Sequence, residues 1–146
     1  MAVSPYLMFE GRAEEAANFY KKALGAEIQM LMRFADAPAG GPEPAEGCAP
    51  APGAPDKIMH MSLMIGGSLV MGSDGMCSGK PNFQGISLTY EPRDEKDAQR
   101  IFDALADGGQ VQMPLQPTFF SKSFGMVADR FGVSWMVVAP GEEPAA

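Results

Sequence analysis

Basic charge is scarce in this chain: 11 Lys and Arg stand against 18 Asp and Glu, a formal net charge of -7 over 146 residues. Nucleic-acid binding rests on Lys and Arg neutralising phosphates, so a nucleic-acid partner is set aside. Cysteine is scarcer still, with Cys48 and Cys77 alone. They form no CxxC pair, which excludes a zinc knuckle, and both are expected as free thiols, Cys48 lying in a segment rich in Pro, Ala and Gly. No apolar run approaches the roughly 18 residues that cross a bilayer. The opening MAVSPYLMFEGR has no basic stretch ahead of a long apolar one, so no secretory signal is read there. The expectation is a soluble, cytoplasmic protein with no membrane partner. Histidine and tryptophan occur once each, as His60 and Trp135.

What the chain does have is an internal repeat, the feature to seek before any element-by-element reading. EGRAEEAANFYKKAL from Glu10 lies ungapped over EPRDEKDAQRIFDAL from Glu91, with identities at Glu10/Glu91, Arg12/Arg93, Glu14/Glu95, Ala17/Ala98, Ala23/Ala104 and Leu24/Leu105. Each copy carries a helical stripe: Ala16, Tyr20, Ala23 and Leu24 in one, Ala98, Ile101, Phe102 and Leu105 in the other. Each stripe ends at glycine, Gly25 and then Gly108-Gly109, where a left-handed residue closes the last turn. An apolar strand precedes each helix (VSPYLMF, GISLTY) and another leaves it (EIQMLMRF, QVQMPL). Each copy closes with a hairpin. KIMHMSLMI turns through Gly66-Gly67 into SLVMG, and SFGMVA turns through DRFG into VSWMVV, glycines that suit primed or bulged two-strand turns.

The chain therefore reads as a single α+β domain of two β-α-β-β-β modules, about 3–75 and about 84–139. One insertion breaks the symmetry: Ala35 to Asp56, with little to bury, is expected to be a mobile loop.

This duplicated unit, with PYLMFEG from Pro5, FYKKALGAE from Phe19, DKIMHMSLMIG from Asp56 and FGMVADRFGVSWMV from Phe124, resembles the vicinal oxygen chelate superfamily of glyoxalases, bleomycin-resistance proteins and extradiol dioxygenases. Within it the chain is similar to the PhnB-like branch, also labelled demethylubiquinone methyltransferase-like. The resemblance implies a glyoxalase-like fold whose curled sheets form a cleft, and a homodimer. It leaves the chemistry open, because fold and function are separable.

Catalytic members of that superfamily hold a divalent metal through His and Glu on cleft-facing strands. Here the corresponding positions carry Tyr6 or Pro5, the stretch Val70 to Gly72, Ser87 and Met136. A thioether does not replace a carboxylate for a hard dication, so no family-type metal is expected. His60 lies outside those positions. Strand alternation sets Met59, Met61, Leu63 and Ile65 on one face and Ile58, His60, Ser62 and Met64 on the other. The apolar face should pack on the helix and leave His60 and Ser62 toward the cleft. With Tyr6, Ser87, Thr89, Phe124 and Met136 they form the expected ligand-binding set, an apolar and aromatic lining with a few polar groups. Arg33 is a further candidate for anion recognition, Trp135 is expected against a helix, and Asp129 and Arg130 are expected as a solvated pair bracing the hairpin.

The function expected is small-molecule binding without metal or cofactor, by a homodimer. The alternatives are a lyase or isomerase with His60 as acid or base, or with non-standard metal ligands, and an interaction protein that dimerises without ligand. Methyl transfer from an adenosyl cofactor is not expected. It needs a glycine-rich turn from strand to helix, whereas Gly66-Gly67 joins two strands.

Overall fold

The computed structural model describes residues 2–36 and 54–140. Among them are two helices and eight strands in two mixed four-stranded sheets. The fold is α+β, as the repeat implies. The chain divides into two compact units, Met1–Pro81 and Asn82–Ala146.

In unit one the elements run β1 (Tyr6–Met8), α1 (Ala13–Leu24), β2 (Glu27–Arg33), β3 (Ile58–Ile65) and β4 (Ser68–Ser73). Unit two repeats the order with β5 (Leu88–Tyr90), α2 (Glu95–Ala106), β6 (Gln110–Gln116), β7 (Phe124–Ala128) and β8 (Ser134–Val138). The sheets have orders β1-β4-β3-β2 and β5-β8-β7-β6. In each, the strand before the helix pairs parallel with the last strand of the unit, and the other pairings are antiparallel. Both hairpins turn where expected. Gly66 and Gly67 have φ of 56° and 86°, the positive pair that a primed turn needs.

The helices lie on one face of each sheet because their apolar stripes match it. α1 buries Ala13, Ala16, Ala17, Tyr20, Ala23 and Leu24 over Leu7, Met61 and Leu63, which are also buried. α2 buries Ala98, Ile101, Phe102 and Leu105 over Val127, Trp135 and Val137. The approach is close enough to demand glycine in β7: a Cβ on Gly125 would sit 2.7 Å from the Phe102 ring.

A buried carboxylate anchors each unit, in different places. In unit one Asp74, just past β4, accepts from the backbone N–H of Ala13 at 2.8 Å and of Ile58 at 2.6 Å. It thereby caps α1, whose own N-cap residue, Arg12, makes no side-chain cap bond, and holds the start of β3. In unit two α2 is capped locally, Asp94 accepting from the Asp97 N–H at 2.7 Å, and the carboxylate buried within the hairpin is Asp129. It accepts from the N–H groups of Phe131 at 2.9 Å and Val133 at 3.1 Å and from Trp135 Nε1 at 2.9 Å.

Several expectations are corrected here. Asp129 is buried, not a solvated partner of Arg130, because three N–H donors replace its water; Arg130 instead pairs with Asp107 at 3.3 Å. Cys77 is disulfide-bonded and not a free thiol. Its backbone, held at a φ of 56° by a turn in which its N–H donates to Asp74 O, gave no sequence signal of that state. Cys48 and most of the expected loop Ala35 to Asp56 lie outside the described residues. Strand alternation in β3 also slips at its start. Arg33 pairs with Ile58 and Met32 with His60, so Met59 is an extra residue, a bulge, and Ile58 is buried while Met59 is half-buried.

Candidate functional site

The site follows from the face of each sheet that the helix does not cover. In unit one, Tyr6 lies opposite Met71, Met71 opposite Ser62 and Ser62 opposite Met30, which places the four in one row across the sheet. The neighbouring row contains Met8 opposite Ser73 and His60 opposite Met32. Leu7, Met61 and Leu63, on the other face, are buried. On the uncovered face Tyr6 is 41%, Met8 51% and Met30 45% exposed, and His60, Ser62, Met32 and Met71 are half-buried.

Two expected site residues meet on this face. Tyr6 Oη lies 3.1 Å from His60 Nδ1, and the two rings stack with centroids 5.6 Å apart and planes 29° from parallel. The phenol reaches across β4 to do so. With the O–H donating, Nδ1 is the acceptor and the neutral imidazole carries its proton on Nε2. The pair then presents an N–H donor among thioethers and one hydroxyl.

In unit two the uncovered face carries the row Thr89, Met136, Met126 and Met113. Ser87, immediately before β5, donates to Ser134 Oγ at 2.9 Å, and Ser134 Oγ donates to Gln112 Oε1 at 3.3 Å. Phe124 is buried, with the Phe120 ring set edge-on at 5.2 Å. Counting along the repeat pairs Tyr6 with Ser87, but the strand register pairs Tyr6 with Met71 and Thr89 with Met136. The structural counterpart of Tyr6 is thus Thr89, since beyond Met71 the Asp74 N–H donates to Ile58 O as, beyond Met136, the Ala139 N–H donates to Ser123 O.

Arg33 does not serve as a free anion-binding group. Its guanidinium is ion-paired with Glu14 and donates to Asp56 O at 2.7 Å. The hydrogen bond from Arg33 holds the Glu14 carboxyl below the usual carboxylate range and raises the guanidinium in turn. In unit two Arg100, at 2.5 Å, holds the Asp97 carboxyl down in the same way. The donors at the superfamily's metal positions are a phenol, hydroxyls and thioethers, which do not fit a hard dication. No three His, Cys, Asp or Glu side chains cluster to hold one among the described residues.

The family model described as 3-demethylubiquinone-9 3-methyltransferase matches residues 1–138. The chain belongs to that family. Protein YjdN of Escherichia coli K12 is 37% identical over 145 residues, which cover 99% of each chain. The crystal structure of protein PA1353 from Pseudomonas aeruginosa matches with a TM-score of 0.79 at 39% identity, covering 96% of this chain and 98% of that one. The PhnB protein from Bacillus cereus matches with a TM-score of 0.74 at 30% identity, over 95% and 99%. A glyoxylase/bleomycin resistance protein/dioxygenase domain from Frankia sp. EAN1pec has a TM-score of 0.63 at 13% identity, over 99% and 95%. At that identity the match concerns the fold alone. The family is thus a PhnB-like branch of the glyoxalase-like fold.

Proposed function

We propose that this protein binds a small, partly apolar molecule without a resident divalent metal, as a cytoplasmic homodimer. The observation that carries the reading is the Tyr6–His60 contact on an uncovered, methionine-rich sheet face. Thioether side chains adapt to the shape of an apolar body, while His60 Nε2–H and the Ser62 hydroxyl select an acceptor on it. Ser87, Thr89 and Met136 supply a second lining on unit two, backed by the buried Phe124. The strand-to-helix turns, Phe9 to Arg12 and Glu91 to Asp94, are not the glycine-rich phosphate turns of nucleotide-type cofactor sites. The methyltransferase description of the family therefore gains no support from these residues.

A ligand that binds only the native state raises its stability by mass action, about 2.7 kcal/mol at a hundredfold excess over Kd. A thermal-shift screen of metabolites should yield stabilising compounds whose effect is reduced in Tyr6→Phe and lost in His60→Gln. A screen in which no compound discriminates these variants from the parent would overturn the reading and favour an interaction protein that dimerises without ligand. The same contact also favours a second reading, a lyase or isomerase. Tyr6 orients His60 as a base requires, and His60→Ala would then abolish turnover while affinity survives.

A further inference from the structure

We propose that the uncovered face of unit one is a binding site for a soft monovalent cation of the copper(I) and silver(I) class. The ligands are His60 Nε2 and the thioethers of Met30, Met32 and Met71. The inference goes beyond organic-ligand binding and does not rest on it.

The donors are assembled by the sheet. Met32 is directly opposite His60 on β2. Met30 and Met71 flank Ser62, the next residue of β3 on that face, from either side. Both are therefore diagonal neighbours of His60, a separation of about 7–8 Å with the Cβ atoms somewhat closer, within reach of long side chains. All four share the face opposite the buried Leu7, Met61 and Leu63. Soft thioether donors select copper(I) over hard cations, so the donor set that fails for a divalent metal suits this class. Met30 is 45% exposed, so its thioether is accessible to a cation from solvent.

Tyr6 supplies the support a metal-binding imidazole needs. Ligating histidines hold their other ring nitrogen in a hydrogen bond that fixes tautomer and ring angle. Tyr6 Oη, 3.1 Å from Nδ1, takes that place. When Nε2 binds the cation, Nδ1 carries the proton and donates to the phenol oxygen. Tyr6 is a positioning residue in this scheme. The chain's net charge of -7 favours a cation's approach.

The test is a titration of the full chain with silver(I) alone, read by calorimetry and by the methyl signals of labelled methionine. It is run on the oxidised protein and on a Cys48→Ser/Cys77→Ser variant, so that thiols do not bind the metal. One equivalent is expected to saturate both proteins, moving the Met30, Met32 and Met71 methyls and the His60 ring while leaving Met76, exposed elsewhere, in place. Met30→Leu/Met32→Leu conserves volume, so the fold should survive. It should weaken binding at least about tenfold, and Tyr6→Phe should do so about tenfold with stoichiometry kept, the scale of a lost supporting partner. Absence of saturable binding, equal shifts at all methionines, or unchanged affinity in the methionine double variant would overturn the proposal. Because no organic ligand is present, failure here is distinct from failure of the metabolite screen.

Discussion

The two units share element order, strand pairing and helix-facing packing, and differ on the faces their helices leave uncovered. Unit one has Tyr6, Met71, Ser62 and Met30 across its sheet where unit two has Thr89, Met136, Met126 and Met113. Two residues before Ser62 on β3 stands His60; two before Met126 on β7 stands Phe124. One position is a half-buried imidazole held by a phenol, the other a buried ring under Phe120. The helix side of each sheet is constrained by packing, which admits only apolar residues of suitable volume. The open side carries no such constraint, so chemistry separates the units there.

The largest effects should come from the anchors. Asp129→Ala strands three donors, two backbone N–H groups and Trp135 Nε1, inside unit two. Asp74→Ala strands two, at the starts of α1 and β3. A buried group left without its charged partner costs about 1–3 kcal/mol, so each variant should lose about 3 kcal/mol or more in urea denaturation, Asp129→Ala the more. A loss below about 0.5 kcal/mol for either, the size of an ordinary surface change, would show that water replaces the carboxylate and that the anchor is dispensable.

Next come the exchanges that make one unit resemble the other. His60→Phe gives β3 the residue that β7 has at the matching row. It should abolish ligand stabilisation and silver binding together while changing the urea midpoint little, because the position is only half-buried. Thr89→Val, at the counterpart of Tyr6, should leave silver binding unchanged. Tyr6→Phe removes one hydrogen bond, about 1 kcal/mol or roughly fivefold in affinity for an organic ligand. If Thr89→Val weakened silver binding as much as Tyr6→Phe does, the difference between the faces would not be functional.

These exchanges also mark what was legible in the sequence. Periodicity and glycine placement revealed both helices, the hairpins and the strand that precedes each helix, because apolar stripes and positive φ leave local signals. Alternation sets His60 with Ser62 on one face of their strand and Tyr6 with Met8 on one face of theirs, each a candidate for the cleft. The contact between the two strands was not legible, since Tyr6 and His60 are 54 residues apart and meet only because β1 pairs with β4. The bulge at Met59 escaped notice, as no glycine marks it. Asp129 reads as an ordinary turn acid because charge at a turn is ordinarily solvated, although its donors Phe131, Val133 and Trp135 lie in its own hairpin. Asp74 gives no signal because its donors, Ala13 and Ile58, are remote in the sequence. Arg33 looked available for an anion because Glu14, on the preceding helix, gives no local sign of facing it.

The smallest effects distinguish the two ion pairs. Asp97 and Glu14 are both held below their ordinary values by arginine, so each stabilises the fold above its unfolded value, about 3.9 for Asp and 4.3 for Glu. That contribution disappears as pH falls through the lower folded value. The Asp97 side chain is 7% exposed and that of Glu14 47%, and solvent screens the more exposed pair. Across an acid titration of the melting temperature below about pH 5, Asp97→Asn should flatten the decline visibly and Glu14→Gln should barely change it. Asp97 also accepts the Arg93 N–H at 3.2 Å, so Arg100→Ala should recover only part of the Asp97→Asn effect. Equal flattening by Asp97→Asn and Glu14→Gln would mean that burial does not set the strength of these pairs, and that the two units do not differ in acid sensitivity.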